Sequence, residues 1–347
     1  MRQKFYAILL CLAFAAGCAN AGGATADAAT QTAADQITQT HAAAQSPDAQ
    51  SAEAQAPSQT ADEPSALPQG GGGPITITDM TGRMVTLPGP ATRIVALTAA
   101  DCENLYAIGA GDTLVGRGEY CDYPPEVLNI PSVQSGAETN LEQIIALKPQ
   151  VLLMGTMDQT DEQIVSLENA GIKTVVSNAQ DIDGVYTAIQ MLGNLMGRQG
   201  DADEVVSKMK TDFASVSGNA GANKGKTVYF EVSPLQQGLW TAGSGTFMDE
   251  IAGMIGLTNC FGDVSGWGQI SEEQVIERNP DYIVTITMYN GEGQKPEDEI
   301  MSRAGWGNIN AVKNKAILNL QNNELSRPSY RLADGAKLLN DFVNGHR

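Results

Sequence analysis

The spacing of apolar and polar positions predicts regular elements only from Pro74 onward. Ile75-Thr76-Ile77-Thr78 and Met84-Val85-Thr86-Leu87 alternate with period two. The turn residues Asp79-Met80-Thr81-Gly82-Arg83 separate them, which predicts a hairpin. Arg93-Ile94-Val95-Ala96-Leu97 predicts a buried strand, with a helix opening near Asp101. Short apolar runs at Leu114-Val115-Gly116, Val151-Leu152-Leu153-Met154 and Lys173-Thr174-Val175-Val176 then alternate with amphipathic stretches. Strand and helix taking turns predicts a largely parallel sheet covered by helices.

The middle of the chain reads differently. Val185, Ala188, Ile189, Leu192, Leu195 and Met196 form one helical stripe. Past Gly197 and Gly200, a second is formed by Val205, Val206, Met209, Phe213 and Val216. Strands return at Thr227–Val232, Tyr282–Ile286 and Ala316–Leu320. Two α/β units joined by a helical segment account for this order. An internal echo supports the division. The stretch from Asn140 to Leu153 aligns with that from Ser271 to Val284: a capping residue, an acid, Gln, paired aliphatics, a Pro that stops the helix, and a strand. The acids Glu142 and Glu273 hold the same place in the two copies.

The chain before Pro74 adds export to the picture. Arg2 and Lys4 precede the apolar run Phe5–Ala16, which is too short to span a bilayer and suits a secretory signal. The run ends in Ala15-Ala16-Gly17-Cys18, which resembles a bacterial lipobox. That resemblance implies cleavage before Cys18, lipidation of its thiol, and anchorage on the outer face of a membrane. Residues 19–73 are almost wholly small and polar, and their only large aliphatics are Ile37 and Leu67. Such a stretch cannot bury enough apolar surface to offset its ordering entropy, so it is expected to be a disordered tether reaching roughly 40 Å.

Charge and chemistry then narrow the function. The 347 residues hold 21 Lys+Arg against 40 Asp+Glu, a net charge of −19, which disfavours nucleic acid as a partner. The two histidines, His41 and His346, lie in segments that read as flexible, so the folded part has none for a Ser-His triad or a multi-His metal cage. No Gly-Xaa-Ser-Xaa-Gly elbow appears, and no catalytic residue, resident metal site or cofactor is expected. The Gly-rich run Thr241–Thr246 lacks the Lys of a phosphate loop and predicts a tight turn into a helix capped by Ser244 or Thr246. Cys102, Cys121 and Cys260 remain once the signal is removed and Cys18 is lipidated. An odd number leaves at least one thiol unpaired, and a Cys102–Cys121 disulfide is left open.

Several pieces together carry a resemblance. They are the Ile75–Pro88 hairpin with Asp79 and Gly82-Arg83, Tyr123-Pro124-Pro125-Glu126, Asn140-Leu141-Glu142 continuing to Lys148-Pro149, Trp240–Gly245, and Ser271-Glu272-Glu273-Gln274. In this order, over residues 75–345, the chain resembles the substrate-binding lipoproteins of iron–siderophore, haem and cobalamin ABC importers. The resemblance implies a class III binding-protein fold: two α/β lobes bridged by one long helix, with ligand held in the cleft between them. On that basis the chain divides into a signal peptide (1–18), a tether (19–73), a first lobe (74–198), a connecting helix (199–220) and a second lobe (221–347).

The resemblance also implies roles. Glu142 and Glu273 would dock the loaded protein on arginines of a permease that works with its ATPase. Residues at strand-to-helix loops would line the cleft: Arg117 and Tyr120 on the first lobe, and Trp240, Trp267, Arg327 and Arg331 on the second. Loop aromatics offer flat area to a macrocycle or catecholate, and Arg offers forked donors to an anionic chelate. Gly136 and Gly155 stand where a cobalamin binder's tryptophans would align, which thins the aromatic cage. For haem, Tyr120 or Tyr330 could be the axial ligand. An iron(III)–siderophore complex is therefore expected first, and cobalamin, another corrinoid or haem as alternatives. A monomer is expected. A surface enzyme or an adhesin is the competing class, the latter suggested only by the tether.

Overall fold

The structure is a computed structural model and describes residues 73–347 except 137–138, 156–160, 219, 322 and 347. The signal peptide, Cys18 and the expected tether lie outside the described residues, save Gly73. An antiparallel hairpin, β1 (Ile75–Thr78) and β2 (Met84–Leu87), opens this part. Asp79, at its turn, accepts the hydroxyl of Thr81 at 2.6 Å and the Arg83 guanidinium at 3.0 Å.

A five-stranded parallel sheet follows: β3 (Ile94–Ala96), β4 (Leu114–Gly118), β5 (Ser132–Val133), β6 (Val151–Met154) and β7 (Lys173–Val176), in the order β5-β4-β3-β6-β7. The strands β3 and β6 are buried on both faces, because the helices α1 (Ala99–Ala107), α2 (Leu141–Ala146) and α3 (Asp161–Asn169) supply the crossovers. Two helices come next, α4 (Ile182–Met196) and α5 (Gln199–Ser217). Gly197, at φ 65°, ends the first in a left-handed cap. The 19 residues of α5 make a rod about 28 Å long.

The second sheet contains β8 (Thr227–Ser233), β9 (Trp240–Ala242), β10 (Thr258–Asn259), β11 (Trp267–Gln269), β12 (Tyr282–Thr285) and β13 (Ile317–Asn319). Its order is β11-β9-β8-β12-β13, with β10 also on β8; β9 runs antiparallel to both of its neighbours, β8 and β11, and the remaining pairs are parallel. Around it lie α6 (Phe247–Met254), capped by Thr246, then α7 (Glu272–Arg278), α8 (Pro296–Ser302), α9 (Asn310–Lys313) and the terminal α10 (Leu332–Gly345). One apolar cluster runs from Ile94 and Val151 of the first sheet, through Ile189 and Leu192 of α4 and Val206 and Met209 of α5, to Val228 and Val284 of the second. Among the described residues no helix is long and apolar enough to cross a membrane.

Candidate functional site

The strand order of the first sheet reverses at β3, whose neighbours β4 and β6 lead the chain in opposite directions. Ligands of open α/β sheets lie outside the carboxyl ends of strands at such a point. Here the chain leaves β3 for Thr98, which caps α1 by accepting the Asp101 N–H at 3.1 Å and donates its hydroxyl to the Asp101 carboxylate at 2.6 Å. Burial pushes the Asp101 carboxyl up to about 6, against the lowering effect of the Thr98 and Ser177 hydroxyls. Along the adjacent strand, Gly118 comes so near β3 that a Cβ there would lie 2.1 Å from the Leu97 carbonyl oxygen. Only glycine permits that approach, and it sets the loop carrying Tyr120, Cys121 and Asp122.

Tyr120 is half exposed on this loop. Arg117, half-buried on β4, donates Nη1 to the carbonyls of Gly118 and Cys121 at 3.1 Å each, so it braces the loop. On the second sheet, Trp240 and Trp267 open the neighbouring antiparallel strands β9 and β11 and are partly buried. Trp267 packs edge-on against Phe247 at 5.4 Å and donates Nε1 to Oε1 of Gln180 at 2.9 Å. Gln180 lies beyond β7, so this bond joins the two sheets. The same junction holds Phe247 N–H on the Gln180 carbonyl (2.9 Å) and Ile182 N–H on the Glu250 carboxylate (2.8 Å).

A second junction takes up the two arginines. Arg327, buried in the segment before α10, donates Nη1 to Glu103 of α1 at 2.9 Å and to Asp122 at 2.6 Å. Arg331 contacts Glu103 at 3.4 Å, pairs with Glu324, and lies 3.7 Å over the Tyr123 ring. Ser329 donates its hydroxyl to Glu103 and the Tyr330 N–H goes to Asn104. Arg327 and Arg331, expected to face an anionic ligand, are thus compensated by acids of the protein. The junctions tie Gln180, after β7, and Glu103 and Asp122, after β3 and β4, to the second sheet's side of the molecule. A cavity of about 190 Å³ lies elsewhere, where α1, α5 and α10 meet around Met209 and Tyr330, and is small for a metal chelate.

Glu142 and Glu273 are exposed in the first turns of α2 and α7. Asn140 caps α2 by accepting the Gln143 N–H, and Ser271 with Gln274 forms a reciprocal capping box on α7. Glu272 is occupied by Trp306 Nε1 at 2.9 Å, whereas among the described residues neither Glu142 nor Glu273 holds an ion pair. The Glu273 carboxyl is held below its usual range by its own N–H and the Ser271 hydroxyl. Sequence reasoning missed Glu103, Asp122, Gln180 and Ser329. A signal existed for the first: α1 buries Ala100 through Leu105 without interruption, so an acid there must meet a partner.

Residues 94–324 match the family described as periplasmic binding protein. The chain belongs to that family. It is 33% identical over 276 residues to an ABC transporter substrate-binding lipoprotein of Bacillus subtilis, covering 78% of this chain and 85% of the relative. To the vitamin B12-binding protein of Salmonella choleraesuis it is 28% identical over 252 residues, 72% of this chain and 89% of the other. A solved structure of an ABC-type Fe3+-hydroxamate transport system from Saccharomonospora viridis superposes with a TM-score of 0.65 at 25% identity, covering 78% of this chain and 98% of that one. The two-lobed α/β fold is that of class III periplasmic binding proteins. Its relatives are substrate-binding transport proteins, not enzymes.

Proposed function

We propose that this periplasmic binding protein is the extracytoplasmic substrate-binding component of an ABC importer. It captures a ferric siderophore of near-neutral charge, of the hydroxamate type, between its two sheets, and presents it to the permease through Glu142 and Glu273. The supporting observation is the compensation of Arg327 and Arg331 by Glu103, Asp122 and Glu324. A ferric tris-catecholate is a polyanion and would need those guanidiniums free, whereas in a tris-hydroxamate the ligand charges cancel that of the metal. Tyr120 on the first lobe and the partly buried Trp240 and Trp267 on the second offer apolar area to such a complex. Lipidation at Cys18 would hold the monomer at the membrane beside the permease and its ATPase.

The vitamin B12-binding relatives favour a corrinoid as the second reading. It has less aromatic surface to use, since Gly136 and Gly155 occupy positions where flat side chains would be needed. For haem, Tyr330 is half-buried, whereas Tyr120 is half exposed and is the more available phenol.

Intrinsic tryptophan fluorescence of the mature chain, titrated with a ferric hydroxamate, a ferric catecholate, cyanocobalamin and haemin, tests the reading. Saturable quenching by the hydroxamate at micromolar concentration or below is expected. Preference for the catecholate overturns the charge argument, preference for cyanocobalamin installs the second reading, and binding of none overturns both.

A further inference from the structure

Two of the three cysteines among the described residues meet in the first lobe. Cys102 lies in the first turn of α1, Cys121 in the loop after β4, and both are fully buried. Their sulfurs lie 3.8 Å and 3.9 Å from the same carbonyl oxygen, that of Ala96, which places the two side chains around one point of the backbone. Cys260 sits apart, half-buried among Tyr229 and Phe261 on the second sheet. The neighbours of the pair give it meaning. Cys102 immediately precedes Glu103, and Cys121 immediately precedes Asp122, the two acids that grip Nη1 of Arg327 from the other lobe. The two cysteines are thus carried on the same segments as the two jaws of a carboxylate clamp, one a helix and the other a loop.

We propose that Cys102 and Cys121 form a structural disulfide in the exported protein, and that this bridge fixes the spacing of the clamp that seats Arg327. The exchange is balanced with a disulfide oxidant, whether an extracytoplasmic dithiol oxidase or a small-molecule disulfide. One cysteine thiolate attacks the oxidant's disulfide and expels one oxidant thiol. The second then attacks the mixed disulfide, closing the Cys102–Cys121 bond and expelling the other. Two electrons and two protons leave on the oxidant. Closure takes place while the chain folds, before burial hides the pair, and afterwards α1 and the loop can no longer separate. In the unfolded chain the bond closes a loop of about 20 residues, which stabilises the fold mainly by restricting the alternatives to it. The location rests on export; the pairing itself does not, and the test has an arm for each.

Mature protein recovered from its own export route is denatured directly into an alkylating agent, without reductant, and mapped by peptide mass. The expected result is Cys260 alkylated and a single linked peptide pair joining Cys102 to Cys121, with both alkylated only after reduction. In parallel, reduced chain is refolded with oxidised glutathione and should yield the same link. Link formation on refolding but not on export overturns the location. Free Cys102 and Cys121 in both arms, or linkage to any other cysteine, overturns the proposal.

The stabilising effect is read as a melting temperature that reductant lowers by roughly 5–10 °C in the native chain. In the Cys102→Ser/Cys121→Ser variant, reductant is expected to leave it unmoved. The clamp is tested by Arg327→Met in both backgrounds. The substitution should lower the melting temperature at least twice as much with the disulfide as without it, and equal losses overturn the clamp.

Discussion

Replacing Arg327 with Met separates its two readings, ligand contact or interlobe tie. The side chains of Arg327 and Glu103 are 6% and 1% exposed, so removing the guanidinium leaves a carboxylate buried. Breaking a buried pair from one side costs about 3–5 kcal/mol. The lower end applies here, since Glu103 keeps the Ser329 hydroxyl at 2.5 Å and Arg331 at 3.4 Å. Asp122 is 50% exposed, and losing its share adds at most about 0.5 kcal/mol. A net loss of about 3 kcal/mol translates into a melting temperature lower by roughly 6–10 °C for a fold of this size. Adding Glu103→Gln removes the orphaned charge and should recover about 1–2 kcal/mol, a coupling that a double-mutant cycle reads directly. Thermal unfolding by circular dichroism gives the stability, and fluorescence titration with the ferric hydroxamate gives the affinity. A variant that melts within about 1 °C of the parent yet no longer binds would refute the tie and return Arg327 to the ligand.

Two further outcomes follow from the same geometry. Asp101 has a folded pKa of about 6 against an ordinary 3.8, so its contribution to stability is fully present below the lower value and is lost as pH rises through the upper. Asp101→Asn keeps an acceptor for the Thr98 hydroxyl, and should match the parent near pH 4 and exceed it by about 2–3 kcal/mol at pH 7.5; parallel stability curves from pH 4 to 8 would contradict this. Reversing a docking acid, Glu142→Arg or Glu273→Arg, should cut chelate uptake by reconstituted transporter at least roughly tenfold while the dissociation constant stays within about twofold. Unchanged uptake by the double variant would remove both acids from the docking surface.

Much of the fold was legible because it is written in local periods. The strands around Ile94, Val151, Val175, Val228 and Val284 are short apolar runs that nothing but a covered parallel sheet would bury on both faces. The stripe Val206, Met209, Phe213 and Val216 likewise marked α5 as a packed helix, although its first turn begins at Gln199, before the stripe does. The antiparallel strands β9 and β11 were not legible as a pair, since each has three residues and β11 holds one apolar side chain, Trp267. Least legible was the state of the site's charges. Arg327 reads in sequence as a loop cation, and its partner Glu103 is 224 positions away. No local pattern carries a pairing of that range. What sequence could supply was the one-sided fact that Glu103 falls inside an unbroken buried run.

These long-range ties also bear on how a binder of this kind would work. Opening the lobes far would separate Arg327 from Glu103 and Asp122, and Gln180 from Trp267 and Phe247. It would also shear the apolar cluster continuous through α4 and α5. A ligand can shift a conformational equilibrium only by its differential affinity for the two states, and binding one chelate supplies too little to break both junctions and repack that core. Capture should therefore use a crevice largely formed beforehand, with selection resting on shape and charge instead of closure. Release then has to be forced from outside. On the proposed docking, Glu142 and Glu273, on matched helices of opposite lobes, would be the two points where a membrane partner pulls the halves apart, which would give a physical reason for the same acid to stand at the same place in each.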